Sequence, residues 1–158
     1  MKRKFNIIDI FVVLIFIAVM AAAVWFFANI GDGYERYVYF TVELRGVMPG
    51  YEDYIIREME RQGEVRDAIR NYFLGTVYNV EVRQGTQLTF DQTNQEVRLE
   101  LVPELNDIFL TIRGHGTQSY REILVEGQLV TIGRSMYIRG NGFANRGFVV
   151  ELWTEERN

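Results

Sequence analysis

His115 is the only histidine in the chain, set in Gly114-His115-Gly116. Such a residue can act as a general base or bind a metal. A metal needs several ligands, and here the others would all be carboxylates. The acids are not spaced like a calcium-binding loop, so His115 is read as a turn residue between two strands. Ser119 and Ser135 are the only serines. Neither stands in a G-x-S-x-G elbow, and a triad would have to recruit His115. Gly31-Asp32-Gly33 and Gly140-Asn141-Gly142 lack the further glycines and helix start of a phosphate loop, and are read as turns. Cysteine is absent, which removes disulfides, thiolate metal sites and a thiol nucleophile. Pairs can be drawn freely among so many carboxylates, and sequence does not give the fixed separation that glycoside chemistry needs. No catalytic, cofactor-binding or metal-binding residue is therefore assigned, and a non-enzymatic protein is expected. A carboxylate-based hydrolase is the least favoured alternative.

Aromatic residues offer a different chemistry. Tyr34, Tyr37, Tyr39, Tyr51, Tyr54, Tyr72, Phe73 and Tyr78 crowd the first half of the chain. Tyrosines line protein-binding and sugar-binding surfaces, and they also suit strands and membrane interfaces. Tyr51, Tyr54 and Tyr72 are taken as the candidate interaction surface. The expected partner is an envelope protein or a second copy of the chain, with a binding module for a glycan or other envelope ligand as the alternative.

Charge is divided unevenly along the 158 residues. Lys2, Arg3 and Lys4 open the chain, and Asp9 is the only acid before Asp32. With those four set aside, 14 basic and 20 acidic residues remain. An acidic body lacks the basic face that nucleic acid requires, so no nucleic-acid partner is expected.

Ile10 to Ala28 carries no charge and no strongly polar side chain. As a helix it would extend about 28 Å, close to the ~30 Å hydrocarbon core of a bilayer. A transmembrane helix over residues 7–28 is expected, with Ile10, Leu14, Ile17, Trp25 and Phe26 in the anchor. Trp25 and Phe26 stand where an interfacial aromatic belt would lie. Lys2, Arg3 and Lys4 set the topology: a basic cytoplasmic tail at 1–6, and the remainder outside the cell membrane. A cleaved signal peptide competes, since Ala21-Ala22-Ala23 could form its cleavage site. The apolar run continues past those alanines, which argues against cleavage. Ala18 and the same alanines offer a small-residue patch for helix association. Asp9 is read as an interfacial acid rather than an intramembrane partner.

The elements that must carry any surface follow a period of two. A linker is expected at 29–36, then a strand from Tyr37 to Val47, ended by Pro49-Gly50. Residues 51–73 are read as helical, broken near Gln62-Gly63. Tyr51, Ile55 and Met59 mark one stripe, Val65, Ile69 and Phe73 a second, and Gly75 is placed as the stop. Strands are expected at Thr76–Arg83 (with Tyr78, Val80 and Val82 on one face), Glu96–Val102, Asp107–Arg113, Gln128–Ile132, Ser135–Arg139 and Phe148–Trp153. Residues 91–95 are read as a hairpin tip. The fold class is an N-terminal transmembrane helix plus a mainly-β (α+β) extracytoplasmic domain at 37–158, a small barrel or sandwich with one or two short helices.

Three segments carry a resemblance. They are Phe5-Asn6-Ile7-Ile8-Asp9-Ile10, then Asn106 to Gly114 (NDIFLTIRG), then Ile123 to Gly133 (ILVEGQLVTIG) followed by Gly147-Phe148-Val149-Val150. Tyr39 to Val47 and Gly75 to Val82 add to it. In these the chain resembles a family of small bacterial membrane proteins catalogued only as a domain of unknown function, number forty-three thirty. The resemblance implies an inner anchor with an outer β domain, and it implies no activity. The stretch Tyr51 to Gln62 is not expected in the shorter members.

Overall fold

The computed structural model describes residues 7–30 and 33–156. Lys2, Arg3 and Lys4, the tail 1–6, and the Gly31-Asp32 part of the first G-x-G lie outside the described residues, as does the Asp9 side chain. The chain divides into two compact units, one ending at Gly33 and the other beginning at Tyr34.

The first unit is one helix, α1 (Ile7–Ile30, 24 residues). Among its described side chains, Ile10 to Phe26, apolar residues surround the axis with no polar stripe, and the large ones are exposed. Among the described residues no helix is long and apolar enough to cross a membrane. The described side chains of α1 run only from Ile10 to Phe26, while its backbone continues beyond both.

The second unit contains a short helix and an eight-stranded antiparallel sheet. In chain order these are β1 (Tyr34–Val47), α2 (Glu52–Glu60), β2 (Glu64–Asp67), β3 (Phe73–Asp91), β4 (Glu96–Gln118), β5 (Ile123–Val125), β6 (Gln128–Val130), β7 (Ser135–Arg139) and β8 (Ala144–Glu156). Strand neighbours run β1-β8-β7-β2-β3-β4, and β4 pairs back onto β1, which closes the sheet into a barrel. The β5–β6 hairpin continues from the far end of β4. Closure decides between the two architectures the strand spacing allowed, because a sandwich keeps two separate sheets.

Alternation on β1 places Val38, Phe40, Val42 and Leu44 inside, where they meet Leu74, Val77, Ile108, Leu110, Ile112, Ile138 and Val149. Helix α2 adds the buried Ile55, with Tyr51 and Met59 packed against the same core. Its first turn holds Glu52 and Asp53, whose charge suits a helix N-terminus.

Several expectations need correction. Only 52–60 of the segment read as helix is helical. Val65 and Asp67 are buried in alternation on β2, and Ile69 is exposed in the turn that follows. The Asp67 carboxylate accepts hydrogen bonds from the N–H groups of Ile69 and Arg70, at 2.9 and 2.6 Å. Asn71 then takes a positive φ of 62°. These local bonds give the backbone an alternative to helix. Gly75 lies within β3 and stops no helix; it has φ +143°, and a Cβ there would collide with the Arg113 carbonyl. Tyr78 does not share a face with Val80 and Val82, because the register shifts between Val77 and Asn79. The residues read as a linker are divided, with Asn29 and Ile30 in α1 and 34–36 in β1. His115 belongs to β4 rather than to a turn. Its glycine neighbours permit close strand packing: a Cβ on Gly114 would meet the Leu74 carbonyl, and one on Gly116 the Leu124 carbonyl. Gly140-Asn141-Gly142 is the turn between β7 and β8, as expected.

Candidate interaction surface

Strands β3 and β4 outrun the barrel. Strand β1 pairs with β4 only from Asn106 onward, and β2 pairs with β3 only between Phe73 and Thr76. Beyond those limits Gly85–Asp91 and Glu96–Val102 pair with each other alone, forming a two-stranded arm.

The arm's base is set by a register shift. Gln84 faces Asn106 and Gly85 faces Val102, so Pro103, Glu104 and Leu105 bulge from β4. Asp107 is buried beside this bulge. One carboxylate oxygen accepts from the Gly46 N–H at 2.9 Å; the other accepts from the Thr86 N–H and hydroxyl, both at 3.1 Å. A single side chain thus ties the end of β1 to the root of the arm. At the tip, Asp91 accepts from the N–H groups of Thr93 and Asn94 and from the Asn94 amide. The Asn94 amide, followed by the Thr93 N–H, holds the Asp91 carboxyl below the usual aspartate range.

The arm is amphipathic by register. Leu88 faces Leu99, Phe90 faces Val97 and Thr86 faces Leu101, all on one side. Gln87, Thr89, Asp91, Glu96, Arg98 and Glu100 occupy the other. Leu88, Phe90, Val97, Leu99 and Leu101 each keep between 58% and 68% of their surface exposed. A two-stranded ribbon has no second layer to bury such a face, which makes this apolar patch a candidate interaction surface.

A second feature lies on the outer wall where β1, β4 and β8 meet. Tyr39 stacks on Trp153, and Tyr78 meets Tyr39 edge-on at 5.0 Å between centroids. The Tyr39 hydroxyl donates to Glu155 at 3.0 Å. Burial, and then that hydrogen bond, push the Tyr39 hydroxyl above the ordinary tyrosine range. Alongside, the Thr41 and Thr111 hydroxyls lie 3.0 Å apart, and Thr41 donates to Glu151 at 3.3 Å. Neither Thr41 nor Thr111 is exposed.

The three tyrosines named from sequence are not brought into one surface. Tyr51 packs on the core and donates its hydroxyl to the Ala144 carbonyl at 2.8 Å. Tyr54 is exposed on α2 with the Arg57 guanidinium 4.7 Å from its ring centroid. Tyr72 is exposed just before β3. His115 is exposed and tilted against Tyr37, with centroids 5.0 Å apart. It lines an open cleft of about 330 Å³ with Glu35, Arg36, Thr117 and Glu126. Ser119 accepts from the N–H groups of Arg121 and Glu122 in a local turn. Among the described residues no group of three or more acids and histidines could hold a metal ion.

The model of a family described as a domain of unknown function, DUF4330, matches residues 1–152. The chain belongs to this family. The match takes in α1, the arm and β8 as far as Leu152. No curated protein and no solved structure matches the chain.

The arm escaped the sequence reading although its alternation was visible. Leu88, Phe90, Val97, Leu99 and Leu101 have the pattern of a half-buried strand. Only the pairing limits of β1 and β2 reveal that, among the described residues, no strand of the second unit flanks them.

Proposed function

We propose that this is a non-enzymatic, membrane-anchored envelope protein whose outer β-barrel binds partner proteins through the apolar face of the β3–β4 arm. The observation that carries the reading is the exposure of five large apolar side chains on one side of an isolated ribbon. Three features support the anchor: the uncharged run Ile10–Ala28, its helical backbone, and the basic cluster at Lys2, Arg3 and Lys4. On this reading the N-terminus is cytoplasmic and the barrel extracytoplasmic.

The test is photo-crosslinking of the full-length protein in native membranes. A photoreactive residue is placed at Leu88 or Leu99 on the apolar face, or at Gln87 on the polar face. Adducts are expected from the first two and not from the third. Equal labelling from both faces, or none from either, would remove the arm as the docking surface.

A second reading has an observation of its own. Trp153 and Tyr78 are both partly exposed beside the buried Tyr39, and flat aromatic surfaces of that kind stack on sugar rings. Glycan binding by the full-length protein that is lost with Trp153→Ala and kept with Leu99→Glu would favour it.

A further inference from the structure

We infer that a second copy of this chain pairs along the free edge of β4, residues 96–102, antiparallel and centred on Leu99. The inference rests on the arm being a docking surface, and it names one occupant.

Among the described residues, the arm portion of β4 pairs on one side only, with β3. Its opposite edge presents unused backbone N–H and C=O groups, which another strand can complete. The length of that edge is limited. Pro103 has no N–H to offer and starts the bulge, while the tip turn lies at the other end.

Charge selects the register. In an antiparallel pair, opposed side chains share a face. Centring on Leu99 sets Leu99 against itself and Val97 against the partner's Leu101 on the apolar face. On the polar face it sets Arg98 against the partner's Glu100, and two-fold symmetry makes that ion pair twice. Centring on Arg98 would oppose Arg98 to itself and Glu96 to the partner's Glu100. Centring on Glu100 would oppose like carboxylates. Centring on Val97 would draw the turn residues 92–95 into the ladder. A shift of one residue on one strand would set apolar faces against polar ones. Among the described residues, the ion pairs of Arg98 within its own chain are long, 3.7 Å to Asp91 and 3.5 Å to Glu96.

Symmetry favours β4 on β4 over β4 on the partner's β3: the first is a two-fold contact that uses the same edge of both copies, whereas the second repeats head to tail and leaves that edge open for endless addition. The pair is a four-stranded sheet that doubles the apolar face available to a larger partner.

The chain has no cysteine, so single substitutions report the register. Full-length protein in nanodiscs carrying Leu99→Cys is expected to form a disulfide-linked dimer under mild oxidation. Val97→Cys and Leu101→Cys are each expected to fail alone and to link when mixed. Arg98→Glu or Glu100→Arg is expected to weaken dimerisation at least about fivefold, as two cross-strand ion pairs become repulsive. The double variant R98E/E100R is expected to restore it. Thermal unfolding of each variant shows that the barrel is intact. Contacts between anchors would dimerise the chain without this pattern, so the pattern of cross-links is the readout. Equal linking at 97, 99 and 101, or no rescue by the double variant, overturns the inference. If Leu99 still photo-crosslinks to another protein in that case, the arm remains a docking surface. If it does not, both fall.

Discussion

Tyr39 and Trp153 face each other across the β1–β8 pairing with ring centroids 5.3 Å apart and planes within 4° of parallel. The stack covers the outside of β1, where Tyr39 would otherwise be a surface residue. It also joins the first strand of the barrel to the last. Trp153→Ala is expected to destabilise the barrel by about 1–2 kcal/mol, combining the aromatic pair with lost contact area. Thermal unfolding of the full-length protein followed by circular dichroism measures the loss. The melting temperature should fall with Trp153→Ala and be largely kept with Trp153→Phe, which retains an aromatic ring against Tyr39.

Asp107 carries the arm's attachment. Asp107→Ala would remove the acceptor of the Gly46 and Thr86 N–H groups, whose bonds to the carboxylate are partly shielded from solvent. The expected cost is about 1–2 kcal/mol. Hydrogen exchange should quicken at Thr86 and through the arm before it quickens in the barrel. Uniform quickening would mean that Asp107 supports the whole fold rather than the root of the arm.

Glu52 gives a pH dependence with a definite sign. A hydrogen bond from its own backbone N–H leads the causes that lower its carboxyl pKa; burial opposes them, and the Gly50 N–H and the Asn106 amide add to the lowering. A folded-state value below the unfolded one gives stability that is present above the ordinary glutamate range. That stability is lost as pH falls through the lower, folded value. Solvent screening keeps the effect under about 1 kcal/mol. Glu52→Gln should therefore reduce stability at neutral pH and flatten the acid limb of a melting-temperature profile. A profile that keeps its acid slope in the variant would assign the slope to other carboxylates.

Gly75→Ala tests the close packing of β3 on β4. The backbone at φ +143° disfavours any L side chain, and the Arg113 carbonyl occupies the Cβ position. The expected loss is at least about 2 kcal/mol. Chemical denaturation of the full-length protein would show it as a lower midpoint with little change in slope. Retention of the wild-type midpoint would mean that β3 shifts away freely.

The two-residue period made β1, β7 and most of β4 readable, because their inner positions are uniformly apolar. The tip at 91–95 was readable for the same reason, since polar turn residues interrupt two alternating runs. Strand β2 was not, because Val65, Ile69 and Phe73 mimic a helical stripe. The Asp67 turn that breaks the stripe depends on backbone hydrogen bonds rather than on spacing. Strand β4 passes through Pro103, which reads as a terminator but is taken up by the bulge. The His115 segment misled in the opposite way. Flanking glycines signal a turn, whereas here they make room for the carbonyls of neighbouring strands. The arm depends on where other strands stop, which no local pattern encodes.

The pairing of β1 with both β4 and β8 has a consequence for the order of assembly. The β3–β4 hairpin brings together residues close in sequence and can form as soon as they emerge, while the β1–β8 seam must wait for β8. The arm's apolar stripe is thus displayed early, on an unfinished barrel whose own interior strands are also uncovered. Until the last strand docks, a newly made chain has two adhesive surfaces, of which only one is meant to persist. Production at low temperature and low concentration should therefore raise the yield of folded, unaggregated protein more for the wild type than for Leu99→Glu, whose arm has lost its adhesive character.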